Sequence, residues 1–187
     1  VYKRQALVFS TSAFALDGLS IGISGNFGVF VADGKEENYT HTGTLEETAR
    51  KDGAAFAEGY VSVFVEYAVN DNISIGLDHV PDAIETPQNI NSGEGTDDTT
   101  DIKVKAEFEE LTTLYVLAKS DLGVYGKFGV SNMNIDIHSE NAGTYADPGD
   151  TSGMMIGVGY EHDAADGISV RAELAYHEFD DVSANNG

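Results

Sequence analysis

No cysteine occurs in this chain, which removes disulfide frameworks, thiolate metal sites and cysteine nucleophiles from consideration. That lack is compatible with an oxidising compartment, because a sheet closed on itself needs no covalent staple. No stretch approaches the ~20 consecutive apolar residues that a membrane-crossing helix requires. Basic residues are few, 10 Lys and Arg against 32 Asp and Glu, and the formal net charge is -22. Such a surface repels phosphate backbones, so nucleic acid is not an expected partner. Tryptophan is absent and proline scarce, at 3 residues, whereas glycine is abundant at 21. With 41% apolar and 22% charged residues in 187, the composition suits one folded domain rather than a disordered chain.

What is present is strand periodicity. In residues 59–77, Val61, Val63, Val65, Tyr67 and Val69 are apolar at period 2, while Ser62, Phe64 and Glu66 fill the other parity, the mark of a strand with two unlike faces. Asn70-Asp71-Asn72 makes a tight connection, after which Ile73, Ile75 and Leu77 restore the period. This is a hairpin, and the arrangement recurs in residues 114–130 and 154–176.

In chain order, residues 1–15 read as a secretory signal peptide, with basic Lys3 and Arg4, a short apolar run and a cleavage site after Ala13-Phe14-Ala15. Residues 16–187 then form one domain. Its expected strands are 19–31, 54–69, 73–80, 101–118, 123–137, 154–160 and 168–176. Residues 32–53, 81–100 and 140–152 read as long polar, acidic loops, and the other connections are short. Beyond Asn132 the fifth strand reads as polar on both parities, and Glu109-Glu110 interrupts the fourth strand's pattern, as a β-bulge would. Long connections at one end and short ones at the other are the asymmetry of outer-membrane barrels. Seven strands is an odd number for such a barrel, so an eighth, final strand is expected beyond this chain.

If the Val61 parity faces lipid, the opposite parity sends Glu58, Glu66, Asp78, Lys103, Lys105, Glu107, Lys127, Arg171 and Glu173 into the lumen as a structural charge network. Opposite charges paired across a narrow lumen would close it. Tyr60, Tyr67, Tyr115, Tyr125, Tyr160 and Tyr176 lie near strand ends, where interfacial girdles form. No catalytic residue, cofactor site or metal site is expected. His138-Ser139 is the one pair resembling hydrolase chemistry, yet neighbours on a strand point to opposite faces. The five histidines share no metal-ligand spacing, and Asp97-Asp98 with Asp101 lacks the ligand order of a calcium loop.

The Ala13-Phe14-Ala15 signal, the glycine-bearing strand 19–31, the hairpin 60–77 and the segment Leu122-Gly123-Val124-Tyr125-Gly126-Lys127-Phe128-Gly129-Val130 resemble the bacterial outer-membrane β-barrel superfamily, which includes the transmembrane domain of outer membrane protein A and small surface-antigen barrels. The resemblance implies an all-β, antiparallel up-and-down transmembrane barrel, eight-stranded when intact. It also implies a location in the outer membrane of a Gram-negative bacterium, contact with outer-membrane lipid, insertion by the barrel assembly machinery and a monomeric state. The function expected is that of a structural or surface protein with acidic outside loops and a charged, largely closed lumen, with slight permeability or adhesion as options. The alternatives are a soluble exported β-barrel or β-sandwich that binds a ligand, and an outer-membrane lipid hydrolase. The direction in which the apolar parity faces separates the first from the second.

Overall fold

The computed structural model describes residues 2–16, 18–39, 45–91, 102–140 and 149–182, and among these there is no helix. The strands are β1 (Tyr2–Leu16), β2 (Leu19–Tyr39), β3 (Leu45–Ala68), β4 (Ile73–His79), β5 (Ile84–Glu85), β6 (Asn89–Asn91), β7 (Ile102–Lys119), β8 (Val124–Glu140), β9 (Gly149–Ala165) and β10 (Ile168–Phe179). Neighbours pair antiparallel in the order β4-β3-β2-β1-β10-β9-β8-β7, and β4 pairs β7, so the sheet closes into a ring of eight. The short β5 and β6 pair with the upper part of β7. All seven strands expected from Leu19 onward are in the wall. The eighth position, between β2 and β10, is held by the backbone of Tyr2–Leu16, the segment expected as an export signal.

Ring closure sets the strand tilt. One row of partners runs from Ala13 through Ile21, Val65, Leu77, Leu114, Val130, Met154 and Glu178 and returns to β1 at Lys3, ten residues from its start (13 against 3). With ~3.3 Å per residue along a strand and ~4.8 Å between strands, that stagger tilts the strands by about 40° from the barrel axis.

The turns at one end are short and held by side chains. Asn70 Oδ1 accepts from the backbone N–H groups of Asn72 and Ile73, both at 2.9 Å, and Asn72 Nδ2 donates to the Lys119 carbonyl of the neighbouring turn. At the other end the wall is taller than the sequence suggests. Residues 32–53, expected as a loop, largely continue the β2–β3 hairpin through the pairs Gly34↔Lys51 to Tyr39↔Leu45. The residue 154–160 strand likewise lengthens to β9 in both directions. Polar side chains do not end a strand whose backbone still has a partner.

The apolar parity faces outward. Val61, Val63, Val65, Ile75, Val170 and Leu174 are 38–53% exposed, and so are their counterparts Ile21, Ile23, Leu114, Val116, Phe128, Val130, Ile156 and Val158 at 45–61%; Ile73 is half-buried. Along β3 this face runs from Val61 to Val69, eight residue steps on a tilted strand, a belt roughly 20 Å high. An apolar outer face of that height suits lipid, whereas a water-soluble barrel would bury it.

Above the belt the polarity inverts. On β8, Val124, Phe128 and Val130 point out while Tyr125, Lys127 and Ser131 point in; further up, Met133 and Ile135 are buried inside while Asn132 is exposed. On β7 a bulge produces the change: the register shifts between Glu109 and Thr112, and Glu110 takes a positive φ of 54°. Odd residues from Leu111 to Leu117 face the lumen, but above the bulge the even residue Phe108 does. The second half of the sheet is thus an ordinary barrel with an apolar interior, standing where the outside is water.

Candidate functional site

The lumen gathers side chains of β2, β3, β4, β7, β8, β9 and β10. Nearest the short turns is a cavity of about 750 Å³ lined by Ser20, Glu66, Asn70, Asp71, Lys119, Glu161, Asp166 and Arg171 among others. Its ceiling is ionic. Arg171 on β10 donates in bidentate fashion to Glu66 on β3, Nη1 to Oε2 at 2.7 Å and Nη2 to Oε1 at 2.9 Å. Its Nε donates to Glu161 on β9, which also pairs with Lys119 on β7. The planar guanidinium suits this position because it presents several fixed donors to two carboxylates at once. Arg171, Glu66, Glu161 and Glu173 are all buried.

Two tyrosines extend the network. Tyr115 on β7 donates its hydroxyl to Glu66 at 2.9 Å, and Tyr125 on β8 donates to Glu173 on β10 at 2.9 Å. Lys127 pairs with Glu173 at 3.4 Å and lies over the Tyr115 ring, 4.0 Å from its centroid. Each ring crosses a glycine on the strand between it and its carboxylate: a Cβ on Gly76 would lie 2.3 Å from Tyr115 Cζ, and one on Gly159 2.4 Å from Tyr125 Cζ.

Above this layer come small polar groups. Ser62 Oγ donates to Asp78 Oδ2 at 3.1 Å and accepts from Asn26 Nδ2 at 3.2 Å. Thr113, Ser131 and His177 form a buried chain, with Oγ1 to Oγ at 2.8 Å and Oγ to Nδ1 at 3.1 Å. A cavity of about 30 Å³ lies here, bordered by Asp78, Lys127, Glu173 and His177, with room for a water molecule. The top layer is apolar: Phe30, Val80, Ile84, Phe108, Leu111, Met133, Ile135 and Phe179, with Phe56, Tyr60 and Val182 packed against them.

Of the nine charges expected inside, the structure brings together Glu66, Lys127, Arg171 and Glu173, and seats Asp78 on Ser62. Glu58 lies on the inward parity but is exposed. Lys103, Lys105 and Glu107 are not lumenal, and their assignment is corrected by the β7 bulge, which reverses which parity faces in. Lys105 instead pairs with Glu107 at 2.8 Å and Glu85 at 2.9 Å, and Glu107 with His138 at 3.5 Å. This accessible cluster stands above the belt. There Lys105 is held above the ordinary lysine range by its hydrogen bonds to Glu107 and then Glu85, and Glu107 below the carboxylate range by its bond to Lys105.

Glu161 and Lys119 were not anticipated in the lumen because the strands bearing them were ended too early. The signal was the even-odd continuation Gly157, Gly159, Glu161 opposite Arg171. The tyrosines expected at girdles divide: Tyr67 and Tyr160 are exposed on the outer face, Tyr115 and Tyr125 are buried, and Tyr60 packs on the apolar layer. His138 meets Glu107, whereas the side chain of Ser139 and the residues Asp97, Asp98 and Asp101 lie outside the described set. Among the described residues, no three His, Asp or Glu side chains are grouped to hold a metal.

The family described as outer membrane protein beta-barrel domain matches residues 6–186. Among solved structures, the crystal structure of Ail, the attachment invasion locus protein of Yersinia pestis, aligns with 96% of this chain and 98% of its own at 9% sequence identity and a TM-score of 0.31. Among curated proteins no relative is matched.

Proposed function

Because the chain belongs to the outer membrane protein β-barrel family and so resides in the outer membrane of a Gram-negative bacterium, we propose that it is a structural surface barrel whose lumen is closed to solutes. The observation that supports this is the Arg171 cluster: one guanidinium engages carboxylates from β3 and β9 across the lumen, while Lys127 and Glu173 fill the space beside it. Charges paired in this way leave no free field to attract an ion and no clear path for a sugar. The protein works without catalysis, as a monomer seated in lipid through its outward belt, inserted by the barrel assembly machinery, and presents its acidic connections to the outside medium.

Swelling of proteoliposomes in isotonic solutions of small sugars tests the reading. Vesicles carrying the protein should swell no faster than protein-free ones. A rate comparable to that of a general porin would refute the closed lumen.

A further inference from the structure

The lumen is blocked twice, by layers of opposite chemistry. On β10 the ionic layer begins at Arg171 and the apolar layer holds Phe179, eight residues further up, which places the two roughly 20 Å apart on a tilted strand. Phe30 stacks on Phe56 at 4.7 Å with 10° between the rings, and Phe108 lies 6.3 Å from both. These three come from β2, β3 and β7; Met133 and Ile135 enter from β8, Phe179 from β10, and Ile84 from β5. Phe30, Phe108 and Phe179 are each 2% exposed and Met133 0%. The ionic layer has the large polar cavity below it, and above it Asp78 borders a cavity with room for a water molecule, so both of its faces can be hydrated. An apolar constriction resists ions differently, because it offers no ligand to replace their hydration.

We propose that the aromatic layer of Phe30, Phe56 and Phe108 is an independent permeability barrier, and that breaking the ionic layer alone leaves the barrel non-conducting. This rests on the closed-lumen reading above. The ionic layer then serves chiefly to hold five wall strands, β3, β7, β8, β9 and β10, at fixed distances, and the aromatic layer determines what crosses.

The test is ion conductance in planar lipid bilayers for four proteins: the unaltered chain, Glu66→Gln/Arg171→Met, Phe30→Ala/Phe108→Ala, and the combination. The first three should stay at the bilayer baseline and the fourth should show discrete openings. If Glu66→Gln/Arg171→Met alone conducts as much as the combination, the aromatic layer is no barrier and the proposal is overturned. If the unaltered chain conducts, the closed lumen itself is wrong, a distinguishable result.

A second measurement covers the case in which the combined variant does not fold. The chain has no native cysteine, so Ser62→Cys placed between the layers reports access to a membrane-impermeant maleimide. In the Glu66→Gln/Arg171→Met background, labelling should occur from the short-turn side alone. Equal labelling from the other side overturns the proposal.

Discussion

Tyr115 crosses Gly76 to donate to Glu66 just as Tyr125 crosses Gly159 to donate to Glu173, so β3-β4-β7 and β10-β9-β8 carry the same three-strand joint on opposite sides of the β7–β8 hairpin. In each joint carboxylate, glycine and tyrosine occupy one row of cross-strand partners. A long ring can lie across the intervening strand because the middle residue has no side chain to stop it.

Gly76→Ala should therefore destabilise the barrel more than a typical strand Gly→Ala change, since the new methyl group would sit 2.3 Å from Tyr115 Cζ. The ring must leave, and Glu66 then loses its hydroxyl donor. Urea unfolding in lipid vesicles should show a loss of ~2–4 kcal/mol, the sum of overpacking and a lost hydrogen bond to a charged group. In Tyr115→Ala the further cost of Gly76→Ala should nearly vanish, and independent, additive effects would contradict the joint.

Arg171→Met should be among the most damaging single changes, at ~3–5 kcal/mol, because it removes the cation shared by two buried carboxylates and leaves Glu66 with the Tyr115 hydroxyl and Glu161 with Lys119. Glu66→Gln together with Arg171→Met should cost less than the sum of the two changes made separately. The unfolding midpoints of the four proteins give that comparison as a double-mutant cycle.

The Lys105 cluster should behave oppositely. Its groups reach solvent above the belt, so Glu107→Gln should shift the unfolding midpoint little at low salt and not measurably in 1 M salt. Glu107 is held below its ordinary range, so its contribution is present above the unfolded value of about 4.3 and fades as pH falls through the lower folded value. Lys105 is held above its range, so its contribution is present below about 10.4 and fades as pH rises through the higher folded value. A small plateau between those limits is expected in pH-resolved unfolding.

The absence of tryptophan makes the belt measurable. Single tryptophans at Val63, Phe128 or Ile156 should be quenched by brominated lipid chains, while one at Asn132 should be quenched weakly and one at Lys105 not at all. Strong quenching at Lys105 would place the bulge inside the bilayer and undo the inversion of polarity above the belt.

Processing after Ala15 predicts a mature chain beginning at Leu16, checked by N-terminal sequencing of protein extracted from outer membranes. In a chain so processed, β2 and β10 would lose β1 as their partner. An N-terminus upstream of Ala15 would rule out the signal-peptide reading of residues 1–15 and leave β1 in the mature wall.

Hairpins and the outward parity were legible because a lipid-facing strand shows the same period-2 alternation as any half-buried strand, and the uneven connections indicated which side was lipid. Glu66, Lys127, Arg171 and Glu173 could be placed inside on that basis. Lys105 and Glu107 could not be placed correctly, since one extra residue at the bulge between Glu109 and Thr112 gives the two parts of β7 opposite inward parities. Met133 and Ile135 were overlooked because they continue the opposite parity from Val124, Phe128 and Val130, which reads as loss of pattern unless the water line is known.

By itself, the sequence determined seven of the eight wall strands, though not their full lengths, together with the short turns and the family, because these depend on alternation and turn chemistry within a few residues of one another. Tertiary structure alone decided which charges meet. Arg171 reaches Glu66, 105 positions away, because a ring staggered by ten residues sets their levels, and Tyr115 reaches Glu66 because Gly76 lies between them. Those relationships follow from closure of the whole sheet, and no local stretch of sequence carries its stagger.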